Sequence, residues 1–164
     1  MIRDIHINDS KAIADIYNYY INNTCITFEE IPVTESDIKE RIKSHNLNLP
    51  WIVYEESGEI AGYAYASEWK SRCAYKFSVE STVYLKQGKE GKGIGTILYR
   101  ELLNRIARSN IHAVIGGIAL PNKPSIALHE KLGFEKVAQF KEVGYKFEKW
   151  IDVGYWELVL TKRV

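Results

Sequence analysis

Val83-Tyr84-Leu85-Lys86-Gln87-Gly88-Lys89-Glu90-Gly91-Lys92-Gly93-Ile94-Gly95 is the stretch on which the reading of this chain turns. Ser78 to Leu85 reads as a strand with Val79, Val83 and Leu85 on one face and Glu80, Thr82 and Tyr84 on the other. A glycine-rich turn follows, and it opens a helix from Ile94 to Ser109 with Ile97, Leu98, Leu102, Leu103 and Ile106 at helical spacing. Gly91, Gly93 and Gly95 alternate, so one side of the turn lacks side chains and backbone N–H groups can approach an anion. The helix adds its positive dipole end and unpaired amides. Together these make a cradle of pyrophosphate size. It is not a P-loop, because Gly95 is followed by Thr96 rather than by Lys-Ser/Thr. It is not the dinucleotide fingerprint either, which needs two residues between its second and third glycines. Glycines alone would suit a flexible loop equally well; the strand-to-helix setting favours the cradle.

Upstream, Ile2, Ile5 and Ile7 suggest a first strand, and Asp9-Ser10 offers N-cap chemistry for a helix to about Asn22. Thr34 with Asp37 resembles a capping box before a second helix carrying Ile38 and Ile42. Trp51 to Glu55, the turn Glu56-Ser57-Gly58, and Glu59 to Glu68 read as an antiparallel hairpin. Downstream come a strand from Ala113 to Leu120, the turn Pro121-Asn122-Lys123-Pro124, and a short helix from Ser125 to Leu132. Gly133 sits at the C-cap glycine position. Phe134 to Phe140 and Tyr155 to Leu160 look like closing strands. The order β-α-α-β-β-β-α-β-α-β-β argues for an α/β (α+β) sheet covered by helices, in a single domain over residues 1–164.

Composition excludes several classes. Hydrophobic residues make up 46% and charged residues 26%, which supports a packed core rather than disorder. The net charge of +1 gives no bulk electrostatic pull toward nucleic acid or a membrane surface. The two cysteines, Cys25 and Cys73, are expected as free thiols in a reducing cytosol. Cys73 has no second cysteine nearby, so neither a CxxC redox pair nor a zinc site is expected, and no metal. No secretory signal and no apolar run of membrane-spanning length is expected, which places the protein in the cytoplasm.

Glu90-Gly91-Lys92-Gly93-Ile94-Gly95 resembles the acyl-CoA loop of the GNAT superfamily of N-acetyltransferases, Gln/Arg-x-x-Gly-x-Gly/Ala, with Glu90 standing where Gln or Arg is usual. Leu120-Pro121-Asn122-Lys123-Pro124-Ser125 through Leu132-Gly133-Phe134 is similar to the second CoA motif of that superfamily. Trp69 to Tyr75, Val79 to Tyr84, Leu128-His129-Glu130, Val143 to Phe147 and Trp150 to Gly154 look like the branch that acetylates phosphinothricin, methionine sulfoximine or related amino acids. The likeness runs over nearly the whole chain. It implies a mostly antiparallel sheet of about seven strands flanked by about four helices. It also implies a splay between the strand before the glycine-rich turn and the next strand.

The resemblance further implies acetyl-CoA as co-substrate. It would be held by Gly91, Lys92, Gly93, Ile94, Gly95 and Thr96, by Asn122 and Ser125, and along Val83, Tyr84 and Leu85. An amine must lose a proton before it attacks a thioester. On pattern alone Glu80 is as readily a solvent-facing glutamate as a base; the resemblance favours the base. An apolar setting would raise its pKa. A backbone N–H on Val83–Leu85 is the expected oxyanion donor. His129 occupies the helix position where many members carry a tyrosine acid, and titrates in a suitable range. Arg72 and Lys76 are the nearest cations upstream for an acceptor carboxylate, Lys76 sharing a face with Glu80 if the strand extends that far. Phe28, Tyr75 and Tyr145 are candidate pocket walls; core packing is as good a reading for Phe28 and Tyr145. The family forms homodimers with acceptor sites near the interface, which would bring Tyr145 or Lys146 toward a neighbouring subunit. Two other readings remain open: acetylation of a protein N-terminus or polyamine, and a non-catalytic acyl-CoA-binding domain.

Overall fold

The computed structural model of the chain describes residues 1–160. Strands β1 (Ile2–Asp4), β2 (Trp51–Glu56), β3 (Glu59–Glu68), β4 (Ser78–Leu85), β5 (Ala113–Ala119), β6 (Glu135–Lys146) and β7 (Lys149–Val159) alternate with helices α1 (Ser10–Asn23), α2 (Glu35–Ser44), α3 (Ile94–Ala107) and α4 (Lys123–Lys131). The strands form one sheet in the order β1-β2-β3-β4-β5-β7-β6. Every neighbouring pair is antiparallel except β4 with β5.

Each face of the sheet carries its own apolar layer. Ile13, Tyr17, Tyr20 and Ile21 of α1 and Ile38 of α2 pack on Val53, Tyr63 and Tyr84. Ile94, Leu98, Leu102 and Ile106 of α3 pack on the other side, against Ile52, Ala64, Val79 and Val114. Ile126, Leu128 and Leu132, at α4 and just beyond it, join that second layer. Period-2 alternation along β4 thus sends Val79 to one layer and Tyr84 to the other.

Local chemistry sets most boundaries. Thr34 and Asp37 form the expected capping box: Asp37 N–H donates to Thr34 Oγ1 (3.1 Å) and Thr34 N–H donates to Asp37 Oδ2 (2.7 Å). Ser57 and Gly58 both hold positive φ, the pair of torsions that lets a two-residue turn match strand twist. Two expectations change. β1 stops at Asp4, and Ile7 starts a 3-10 turn instead of prolonging the strand. The Asp9 carboxylate does not cap α1; it accepts from both Arg3 terminal nitrogens (2.8 and 2.9 Å) and from His6 N–H (2.7 Å).

The closing hairpin is longer than the sequence suggests. β6 runs on to Lys146 and β7 begins at Lys149, joined by Phe147-Glu148 with φ of 50° and 59°. This hairpin forms the edge of the sheet beside the opening where β4 and β5 part.

Candidate active site

β4 and β5 are paired only at their starts, Ser78 to Glu80 with Ala113 to Ile115. Beyond Glu80 they separate, the splay expected above. Ser81 marks the fork: its hydroxyl lies 2.5 Å from Tyr99 Oη and donates to the Ile115 carbonyl at 3.3 Å. The Lys86 N–H donates to Ala61 of β3, so by alternation Thr82 and Tyr84 also face β3. Ser81, Val83 and Leu85 therefore turn their backbone groups toward the gap. Leu85 finds a partner there, since its carbonyl accepts from the Tyr20 hydroxyl at 2.8 Å. The Val83 amide faces the opening.

The gap is a cleft of about 370 Å³. Its lining includes Phe28, Glu80, Val83, Tyr84, Asn122, Ser125 and His129, all flagged from sequence. Glu80 and His129 reach it from opposite faces of the sheet. A Cβ on Gly116 would lie 2.6 Å from His129 Cδ2 and closer still to Nε2, while a Cβ on Gly117 would lie 3.3 Å from Glu80 Oε1. Consecutive strand residues point to opposite faces, so the two glycines give space to the two candidate groups on the two sides of β5.

Their electrostatics differ. Burial pushes the Glu80 carboxyl up, and the Lys70 ammonium pulls the other way. His129 is 4% exposed, and burial lowers its pKa, partly opposed by the Ser125 carbonyl. That carbonyl lies 2.7 Å from Nδ1 and can only accept, so Nδ1 carries the proton and Nε2 is bare in the neutral ring. Tyr99 and Phe134 hold the ring edge-on at 5.0 and 5.1 Å. Asn122 caps α4 through Oδ1 to Ser125 N–H (3.1 Å), which positions the turn that carries His129.

The glycine loop has the form an anion cradle needs. Gly88, Gly91 and Gly93 all have φ between 73° and 81°, and added Cβ atoms there would meet nothing within 4 Å. Glycine is required by torsion, not by crowding. Gly93 is the N-cap of α3 and offers no side chain, so the first amides of the helix, from Ile94 to Thr96, have neither an i−4 carbonyl nor a cap. Glu90, on which the family pattern departs, folds back and accepts from Gly88 N–H at 2.7 Å. Its carboxylate serves the turn. These features fit a coenzyme A diphosphate at the loop and its pantetheine arm in the gap.

Three residues expected at the acceptor side do not line this cleft. Arg72, Tyr75 and Lys76 line a separate depression with Leu49, Cys73 and Ile111. β4 starts at Ser78, and Lys76 follows the 3-10 turn Cys73–Tyr75, so the condition that would align it with Glu80 is not met. Tyr145 is half-exposed and packs on Trp150 at 4.7 Å. Lys146 is 2% exposed within its own chain, its ammonium donating to the Thr27 carbonyl at 2.8 Å. Gly116, Gly117, Ser81 and Tyr155 were not anticipated. The Gly-Gly pair inside a strand was the available signal; Tyr155, which lines the cleft and meets the same Gly117 Cβ position as Glu80, carries none.

The model of the acetyltransferase (GNAT) domain matches residues 2–154. This chain belongs to the GNAT family. The GNAT fold accounts for the seven-stranded sheet, its four helices and its forked centre. Among relatives, the phosphinothricin N-acetyltransferase of Streptomyces viridochromogenes is 38% identical, covering 95% of this chain and 85% of its own. The L-methionine sulfoximine/L-methionine sulfone acetyltransferase of Salmonella typhimurium is 34% identical over 94% and 91%. The crystal structure of a GNAT superfamily phosphinothricin acetyltransferase from Sinorhizobium meliloti in complex with AcCoA superposes with a TM-score of 0.94 at 35% identity, covering 99% of this chain and 89% of that one.

Proposed function

We propose that this GNAT domain transfers the acetyl group of acetyl-CoA to the α-amino group of a small amino acid of the phosphinothricin and methionine sulfoximine class. The observation that carries the reading is the placement of Glu80 and His129 on opposite sides of one gap, over Gly116 and Gly117. The activities named for relatives aligned along nearly the whole chain support it.

Acetyl-CoA supplies an activated carbonyl and a thiolate leaving group. Glu80 takes a proton from the acceptor ammonium; its raised pKa brings its basicity closer to that of the amine it must serve. The Val83 N–H, turned into the gap, donates to the carbonyl oxygen as charge grows there. His129 supplies the proton for departing sulfur from its protonated form, which burial makes the minority form. The rate should therefore fall with rising pH once that form is depleted. Thr27, Phe28 and Tyr155 wall the acceptor side.

The unpaired thiols of Cys25 and Cys73 support a reducing, cytoplasmic setting for the enzyme. A homodimer is supported by the edge strand β6, which exposes Val137, Phe140 and Val143 beside exposed Phe147 and Trp150. The deciding experiment measures thiol release from acetyl-CoA with amino-acid analogues, a polyamine and an N-terminal peptide. Turnover confined to the polyamine or peptide would refute the acceptor class, and no release with any amine would refute the enzyme.

A further inference from the structure

We infer that Glu90 is an affinity-setting residue: a fixed negative charge inside the diphosphate cradle that holds coenzyme A more loosely than the loop amides alone would. The inference rests on acetyl-CoA as co-substrate and concerns how tightly this chain grips it. Glu90 stands where the superfamily pattern carries Gln or Arg, so a carboxylate replaces a neutral or cationic group at one position. It lies three residues before Gly93, the N-cap of α3, and the chain between them spans at most about 11 Å. Two contacts narrow its place. Its Oε2 accepts from Gly88 N–H at 2.7 Å, which folds the side chain back over the loop. It also acts on the ionisation of Tyr20, whose hydroxyl donates to the Leu85 carbonyl at 2.8 Å, where β4 meets the gap. The carboxylate is thus near both the amides that receive the diphosphate and the strand that receives the pantetheine arm.

The lysines of the loop do not cancel it. Lys86 pairs with Glu59 at 2.8 Å and Lys89 with Glu56 at 2.5 Å, both glutamates belonging to the β2–β3 hairpin. Lys92 acts on Glu56 as well. The hairpin therefore draws these cations to itself, and Glu90 faces the incoming diphosphate as a like charge. Every other charge around the loop, from this chain or from a partner subunit, stays the same when Glu90 alone is replaced, so this one carboxylate sets the sign of the effect. Glutamine is the informative replacement. It keeps an oxygen for Gly88 N–H, and with it the brace of the turn, while removing the charge.

The test is isothermal titration of the full chain with CoA, parent against Glu90→Gln, over a KCl series. At about 0.01 M salt, where the Debye length is about 30 Å, the variant should bind CoA about three- to tenfold more tightly. The ratio should fall steadily toward one as salt rises to about 1 M, where that length is about 3 Å. Thermal unfolding should be the same in both proteins. Equal or weaker CoA binding by the variant overturns the inference and leaves acetyl-CoA standing as co-substrate. A gain that does not diminish with salt overturns it too, because charge is then not its cause. Failure of the parent to bind CoA overturns the co-substrate together with the inference.

Discussion

Gly116→Ala should both destabilise this protein and silence it, although glycine-to-alanine changes in ordinary backbone usually stabilise. Gly116 is not among the glycines with positive φ, so a methyl group is acceptable to its torsions and would normally add about 0.4–1 kcal/mol through the unfolded chain. What forbids it is His129. The new Cβ would stand 2.6 Å from Cδ2 and closer still to Nε2, where ordinary contact begins at 3.4 Å, so the ring must retreat by more than about 0.8 Å. Its neighbours hinder that retreat. Tyr99 and Phe134 flank it, and Nδ1 is tied to Ser125 at 2.7 Å. Overpacking of this kind costs about 1–3 kcal/mol, which for a chain this size lowers Tm by roughly 2–12 °C. A displaced proton donor should cost about 10²–10⁴ in kcat. Gly117→Ala is the internal comparison: its Cβ meets Glu80 Oε1 and Tyr155 Cε1 at 3.3 Å, a deficit small enough for side chains to absorb, so its Tm should change by less than about 1 kcal/mol equivalent. Thermal unfolding and steady-state thiol release read both. If Gly116→Ala melts at or above the parent temperature and keeps activity within threefold, His129 is neither confined nor needed where the structure places it.

Other expectations follow from the same geometry. Glu80→Gln should lower kcat by about 10²–10⁴ yet melt at or above the parent at pH 7. The folded-state pKa of Glu80 is raised, so its charged form weakens the fold as pH climbs through that pKa; the gain in Tm should shrink on acidification, and a variant less stable at pH 7 would contradict this. In the parent, the acid limb of kcat/KM should lie above the usual carboxylate range, and a limb at ordinary values would refute Glu80 as the buried base. Lys146→Met removes the donor from the Thr27 carbonyl, beside Phe28, whose ring covers Gly144. A loss of about 1 kcal/mol in holding that wall predicts a roughly fivefold higher acceptor KM with the acetyl-CoA KM unchanged; parallel rises in both would refute a local role. Replacing Phe147-Glu148 by Asn-Gly should raise Tm, because both residues now hold left-handed torsions at about 1 kcal/mol each; no gain would show that the turn is not strained.

Most of the fold was legible because local chemistry agreed with the tertiary arrangement. The Thr34–Asp37 box and the Ser57-Gly58 turn needed nothing distant to act. Phe147-Glu148 hid the second half of the final hairpin, since neither residue advertises the torsions it adopts. The overshoot of β1 has a similar cause: alternation continues through Ile7, but His6 and Asp9 close a capping box that coils the chain there. In the site, Glu80 and His129 were legible through the motifs that carry them, and both line the cleft. Lys76 was not, because a periodicity argument presumes the element it runs along, and that element begins two residues later. Lys146 and Tyr155 reach the acceptor wall from the far end of the chain, and no short-range pattern announces such an approach.

No protein atom crowds Gly88, Gly91 or Gly93, so for the stability of the fold alone bulk matters little there and chirality decides. Serine and tryptophan should be penalised alike, each by the roughly 1–2 kcal/mol that an L-residue incurs in that backbone region. A mirror-image alanine introduced by chemical ligation would incur no such penalty. By narrowing the wanderings of the unfolded segment, it should make the fold more stable than nature's own version by about 0.4–1 kcal/mol.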